Sequence, residues 1–343
     1  MYVTTMGLDV AKQVFQVHGI DTHGKVVVRK QLRRKEVVEY FTKLPACEIG
    51  MEAGSSSHYW ARRLLGLGHR VKLMAPQFVR PYVKTNKNDA RDAEATCEAV
   101  TRPTMRFVPI KTAEQQAILA LHRARQGFVK ARTAQANQLR SLLAEFGIVM
   151  PQGIPVLRRE VPAIVSDTEN GLLESVRALF TRLLAHGKEL DRHVSELEQQ
   201  ISQWHKSDER SRKLEKVPGI GPITASALVA TIGDAKAFQH GRQLAAWLGL
   251  VPRQHSTGGK ARLHGISKRG DVYLRTLLIH GARSVLRVAA RHTDPTTRWL
   301  KNVQARRNTN IAAVALANKH ARIVWALLAH DRDYKPDYAV TSP

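Results

Sequence analysis

The chain is poor in cysteine and in acids. Its 343 residues include two cysteines, Cys47 and Cys97, and neither stands at a metal-ligand spacing from a histidine or another cysteine. That scarcity excludes a disulfide framework and a zinc site, and it predicts a reduced, cytoplasmic protein. Acids number 29 against 54 Lys and Arg, which leaves a formal charge of +25 at pH 7. An imbalance of that size points to a polyanionic partner, of which nucleic acid is the commonest. No run of about 18 apolar residues is present and no lipidation motif, so no membrane partner is expected. The opening MYVTTMGLDVAKQVF lacks the basic start, apolar centre and cleavage site of a signal peptide. Apolar residues still make up 43%, enough to build cores, which excludes a disordered chain.

The scarce acids are placed in a pattern. Within Lys84–Ala99, KTNKNDARDAEATCEA, Asp89 and Asp92 are three apart. The apolar stripe Ala90, Ala93, Cys97 and Val100 predicts a helix after Asn88, so both carboxylates share one face. Two readings fit. Acids favour the first turn of a helix, where the dipole is positive, or a divalent cation with oxygen ligands holds them. Upstream, strands are predicted at Tyr2–Val10, Val14–Ile20 and Lys25–Leu32, the last after the turn Asp21–Gly24. A helix at 34–43, a strand at Cys47–Met51, a serine-capped helix at Ser55–Leu67 and a strand at His69–Leu73 follow, and Pro76 opens a short helix. Three strands followed by alternating helix and strand predict a mixed sheet flanked by helices. Asp9 then lies at or near the end of the first strand, and Glu52 follows the fourth. Sites in open sheets gather at strand ends. If those strands are neighbours, three segments bring together four carboxylates, able to hold two divalent ions about 4 Å apart beside a phosphodiester. The alternative is four unrelated surface acids. Asp9 weighs against it, interrupting the apolar Met6-Gly-Leu-Asp-Val10, and Glu52 does the same beside Met51, Ala53 and Gly54.

GLDVAK at 7–12, MEAGSS at 51–56 and NDARDAEA at 88–95 resemble the RuvC-like, RNase H fold domain of the DEDD transposases of bacterial insertion sequences, recombinases guided by a bridge RNA. The resemblance implies that Asp9, Glu52, Asp89 and Asp92 bind Mg2+ (or Mn2+). It also implies a mobile element and a structured guide RNA.

Residues 111–147 predict a long helix with Arg123, Arg125, Lys130, Arg132 and Arg140 on its polar face. Met150–Pro162 reads as a Pro/Gly-bearing connection. Leu173, Val176, Phe180, Leu183, Gly187, Leu190, Val194, Leu197, Ile201 and Trp204 then alternate spacings of three and four, a coiled-coil seam. Its partner is the 111–147 helix folding back, another subunit, or both, so a homo-oligomer, dimer or tetramer, is expected. Residues 213–233, KLEKVPGIGPITASALVATIG, resemble a helix-hairpin-helix hairpin, in which Gly219 and Gly221 would let backbone N–H groups approach phosphate. A plain tight turn uses the same glycines.

Residues 240–270 form a second centre. A helix ends at Gly249, and a loop carries Ser256, Thr257, Gly258 and Gly259 among Arg253, Lys260, Arg262, His264, Lys268 and Arg269. Glycines permit close approach to a ligand, and the cations match phosphates. From residue type alone, a serine there caps a turn or binds phosphate by default. LGLVPRQHSTGGKARLHGISKRGD resembles the C-terminal domain of the same transposases. That resemblance implies that Ser256, in the Ser-x-Gly position, is the nucleophile that joins DNA. From 271 to 330 the chain predicts helices, the second at Asn310–His330, and the tail from Asp331 to Pro343 reads as loose.

The expected fold class is therefore α/β plus α. It comprises an RNase H/RuvC-like domain at 1–108, a coiled-coil helical insert at 109–205, and a mainly helical C-terminal domain with a helix-hairpin-helix-like motif at 206–332. The remainder, 333–343, is tail. The expected activity is DNA cleavage and rejoining through a serine–DNA bond, which conserves phosphodiester energy. Its partners would be element ends, target DNA and a guide RNA, and it would act at the bacterial nucleoid. The competing enzyme is a metal-dependent nuclease or Holliday-junction resolvase using activated water, with Ser256 only a phosphate ligand. A non-enzymatic packaging protein is disfavoured by the acids at 9 and 52, since phosphate grooves avoid acids.

Overall fold

A computed structural model describes residues 2–84 and 88–336. The chain divides into two compact units, Met1–Gln116 and Ala117–Pro343.

The first unit is built on a six-stranded sheet. Strands β1 (Thr5–Val10), β2 (Val14–Ile20) and β3 (Val26–Arg33) form an antiparallel meander. Helix α1 (Val37–Thr42), β4 (Glu48–Glu52), α2 (Ser57–Leu65), β5 (Arg70–Met74), the short α3 (Pro76–Val79), α4 (Asp89–Val100) and β6 (Phe107–Val108) follow. The sheet order is β3-β2-β1-β4-β5-β6, with β1, β4 and β5 parallel to one another. Alternation sorts the two faces. Met6, Leu8, Phe15, Val17, Ile49 and Met51 bury on one face against Phe41 of α1 and Trp60 and Leu64 of α2, each contributing about 1.5–3 kcal/mol. The opposite face receives α4, and glycines admit it. A Cβ on Gly7 would run into Ala93 O and Cys97 N, and one on Gly50 would lie 2.7 Å from Val100 Cβ. Tyr2 is exposed, and β1 begins only at Thr5.

Helix α5 (Ala113–Glu145) leads into the second unit. Helix α6 (Ile154–Ser166) stands where a Pro/Gly connection was expected. Pro155 lies in its first turn, where no hydrogen bond is lost, and Leu157 and Val161 bury against Leu139, Leu143 and Phe180, which holds the helix together past Pro162. Helix α7 (Glu174–Ser207) runs antiparallel to α5: Arg125 pairs with Glu198, Arg132 with Asp191, and Gln135 Nε2 donates to Leu183 O at 2.6 Å. Of the apolar series, Phe180, Leu190, Val194 and Ile201 are buried, whereas Leu173 is the exposed N-cap residue.

Helices α8 (Glu209–Glu215), α9 (Pro222–Ile232) and α10 (Gly241–Trp247), the strands β7 (Pro252–Gln254) and β8 (Leu263–Ile266), and helices α11 (Val272–Val288), α12 (Pro295–Gln304) and α13 (Thr309–Ala329) complete the unit. Three helices, not two, fill 271–330, because Asp294 caps a separate α12 by accepting from Thr296 N and Thr297 N. Helix α13 is apolar and long enough to cross a membrane by length and composition, though Lys319 and Arg322 interrupt it. Here it is a core helix: Ala312, Ala313, Leu316, Ala317, Ala321 and Val324 are buried among α9, α10 and α11. Beyond it, Asp331 and Asp333 pair with Lys213 and Lys216. The end of the expected loose tail, 337–343, lies outside the described residues.

Candidate functional site

Sheet register and the seat of α4 place the four acids on one side of the sheet. The parallel pairing of β1 and β4 ends at Leu8–Met51, so Asp9 and Glu52 follow it directly on adjacent strands. Leu8 and Met51 point into the core, so Asp9 and Glu52 face the α4 side, two residues beyond Gly7 and Gly50. Asp89 and Asp92 lie in the first turn of α4, whose N-cap Asn88 accepts from Arg91 N at 2.9 Å. They stand one turn before Ala93 and Thr96, the residues whose carbonyls Gly7 and Gly50 face. Asp9, Glu52 and Asp92 are half-buried and Asp89 is exposed. Sheet edge and helix terminus thus share the four carboxylates, an all-oxygen set suited to a hard divalent cation. Among the described residues, no three His, Cys, Asp or Glu side chains converge closely enough to hold a metal ion. The backbone positions are shared; the side chains do not meet at one point.

Across the sheet the same row continues: Asp9 pairs with Gln16, and Gln16 with Gln31. One row deeper, Gly7 pairs with the buried His18, and His18 with Arg29. Burial, opposed by Glu94 and reinforced by Arg29 and Lys84, holds the His18 pKa below its usual value. Neither glutamine was singled out from the sequence, where only the alternation of polar positions on β2 and β3 marks them.

Ser256 lies on a hairpin, not in an irregular loop. β7 and β8 pair antiparallel, and Thr257–Lys260 closes the tip with Lys260 N donating to Thr257 O at 3.1 Å. Gly258 and Gly259 have φ of 55° and 73°, the left-handed pair that a tight two-residue hairpin turn requires. The exposed Ser256 Oγ accepts from Gln254 Nε2 at 2.8 Å and from Arg262 N at 3.3 Å. Both contacts use its oxygen as acceptor, so its orientation is held while its O–H proton is left for another partner. Arg253, Lys260 and Arg262 flank it on the strands and turn, and Lys268 and Arg269 stand at the foot, all exposed. The foot is stiff. Arg275 of α11 is buried; its Nη1 donates to Leu248 O at 3.1 Å and Arg269 O at 2.9 Å. Lys268, at φ 55°, sits in a conformation costly for a residue with a side chain.

Comparison with known proteins decides the family. A DEDD transposase model described as "Transposase" matches residues 6–148, and one described as "Transposase IS116/IS110/IS902 family" matches 211–297. The chain is 53% identical over 98% of its length, and over the whole relative, to a "Probable family 20 transposase" of Pseudomonas aeruginosa. It is 42% identical to the "Transposase for insertion sequence element IS1111A" of Coxiella burnetii, covering 97% of this chain and 92% of that one. With the IS1328 transposase of Yersinia enterocolitica it shares 43% over 95% and 96%. The chain belongs to the IS110/IS116/IS902 family of DEDD transposases. It is an enzyme of that family, which implies divalent-metal dependence, and its mixed sheet with flanking helices fits an RNase H-like transposase.

Two further features of the transposase bear on the C-terminal unit. Gly219, at φ 86°, packs against the backbone of α11: a Cβ there would lie 2.7 Å from Gly281 O. Gly221 is exposed, with open space around it, and is the N-cap of α9. Beside them runs a hydrogen-bonded chain. Ser226 Oγ donates to Pro222 O at 2.6 Å and so accepts from His122 Nε2 at 3.1 Å, which leaves His122 Nδ1 to accept from Tyr273 OH at 3.0 Å. This chain ties α5 to α9 and to the first turn of α11, just beyond the hairpin's foot. Sequence spacing gave no sign of it, because its members lie on three separate helices.

Proposed function

We propose that this transposase cuts and rejoins DNA at the ends of a mobile insertion sequence through a covalent bond between Ser256 and DNA. Asp9, Glu52, Asp89 and Asp92 would hold the divalent ion, Mg2+ or Mn2+. The observation that carries the reading is the register that sets Asp9 and Glu52 side by side at strand ends, on the face over which α4 carries Asp89 and Asp92. Bound there, the ion would polarise the scissile phosphate. Ser256 Oγ attacks phosphorus; the new P–O bond replaces the one to a deoxyribose oxygen, which leaves as a hydroxyl carrying the serine's proton. Attack of a free DNA hydroxyl on the serine ester reverses the exchange, so strands are rejoined without ATP. Gln254 Nε2 and Arg262 N fix the direction of the serine oxygen. Arg253, Lys260, Arg262, Lys268 and Arg269 bind flanking phosphates, and Gly221 at the α9 N-terminus offers a further backbone contact.

The reading requires acids and serine to act on one phosphate, within one chain or between chains. A homo-oligomer formed through the α5–α7 region, and a structured guide RNA, complete the proposal; the high positive charge suits both nucleic acids. The test is a labelled oligonucleotide, denaturation, and mass spectrometry of the trapped peptide. An adduct on Ser256 that disappears in Ser256→Ala, with binding retained, is expected. If Ser256 only holds phosphate, the loss would be about three- to tenfold, that of one neutral hydrogen bond. An adduct elsewhere, or full recombination by Ser256→Ala, refutes the proposal, and cleavage without any adduct favours the hydrolytic enzyme.

A further inference from the structure

The acidic row does not end at Asp9. Direct antiparallel pairing places Gln16 opposite Asp9 and Gln31 opposite Gln16, so Glu52, Asp9, Gln16 and Gln31 lie in one line across four strands. Paired residues share a face, and three inter-strand steps span about 14 Å. Phe15, Val17 and Leu32 alternate with the glutamines and fill the core, so Gln16 and Gln31 must stand on the face that α4 packs against. Gln16 is half-buried and Gln31 exposed, while His18 in the deeper row is buried. The outer row is therefore the open one. Gln16 Nε2 donates to Gln31 Oε1 at 3.2 Å. That bond orients the two amides as a unit and leaves Gln16 Oε1 and the Gln31 amide hydrogens to turn outward. Neutral amides add no charge beside the acids, yet can donate to a phosphate and accept from a sugar or base.

We propose that the Gln16–Gln31 pair binds the sugar–phosphate backbone of the polynucleotide acted on at the acidic row, on the β2–β3 side of the scissile phosphate. The proposal rests on the acids being the reacting centre. It extends the site outward to two residues on different strands that a simple acid cluster would not need.

The test uses the full-length protein and DNA substrates carrying single uncharged methylphosphonate linkages near the cleaved bond. Gln16→Ala and Gln31→Ala should each raise KM about three- to tenfold, the effect of one lost neutral hydrogen bond, with kcat nearly unchanged. One methylphosphonate position that weakens the wild type should have no further effect on these variants. Gln31→Lys should bind more tightly and steepen the salt dependence of affinity by about one phosphate contact. Penalties that multiply at every position, or a lower melting temperature with KM and salt dependence unchanged, would mean the pair only joins two β-strands and would overturn the proposal. Failure of the acidic centre has a different signature: Asp9→Asn would still cleave.

Discussion

Mild acid is expected to destabilise the C-terminal unit through two buried histidines. His122 lies between α5, α9 and α11 with 1% of its surface exposed, and His320 lies in α13 with 2%. Burial first, and then the nearby Arg125, push His122 down to about 4; burial and Lys319 do the same to His320, also to about 4. An unfolded histidine titrates near 6.5. Between those values the unfolded chain takes up a proton at each site that the folded chain refuses. Stability is thus full above the unfolded pKa and is lost as pH falls toward 4. At pH 5 each histidine then costs about 2 kcal/mol relative to pH 7, and the pair about 4 kcal/mol.

Most carboxylates titrate below pH 5, so the interval from pH 7 to 5 isolates the histidines. Urea unfolding at the two pH values measures the difference. Trp204, Trp247, Trp299 and Trp325 report on this unit, and Trp60 on the other, where His18 acts with the same sign. His122→Gln and His320→Gln should each remove about half of the C-terminal unit's pH dependence, leaving the double variant nearly flat. A double variant that keeps the full loss at pH 5, or a wild type with no loss, refutes the argument.

Three further outcomes are expected. Asp9→Asn should abolish cleavage with nucleic-acid binding near wild type by gel shift; activity within about twofold, well short of the 1.4 kcal/mol of a tenfold change, would remove Asp9 from the site. Leu190→Asp puts an unpaired charge at a buried position of the α7 seam, at a cost of several kcal/mol; unchanged melting together with unchanged mass by light scattering would show that it is neither core nor interface. Gly7→Ala drives a methyl into Ala93 O and Cys97 N, so α4 must shift at a cost of about 1–3 kcal/mol; cleavage should fall more than binding, and full activity would break the link between α4 position and catalysis.

The mixed sheet was legible because turn residues punctuate its first strands and helix then alternates with strand, and the acids stood out because each interrupts an apolar run or opens a helix. Other parts were hidden for physical reasons. Prolines 155 and 162 signal a break, yet burial of Leu157 and Val161 sustains α6. The Ser256 hairpin has no buried face to impose alternation, since 252–265 are exposed throughout, so only its Gly-Gly turn marks it. Arg275 falls on what looks like a polar stripe, but the carbonyls of Leu248 and Arg269 satisfy it in the interior. The role of Gly219 depends on Gly281, a partner on another helix that local pattern does not reveal.

The four acids are candidates from the sequence alone, but their placement belongs to the residues between them. Leu8 and Met51 fix which face of the sheet Asp9 and Glu52 occupy, because the side-chain period is two and a one-residue slip would turn both acids into the core. Gly7 and Gly50 then set how deeply α4 settles, and with it the height of Asp89 and Asp92 above the strands. Packing therefore sets which side of the sheet the four carboxylates share, although their side chains do not meet at one point. A substitution that loosens this core should spread the acids before it unfolds the unit, and activity should fail ahead of stability along such a series.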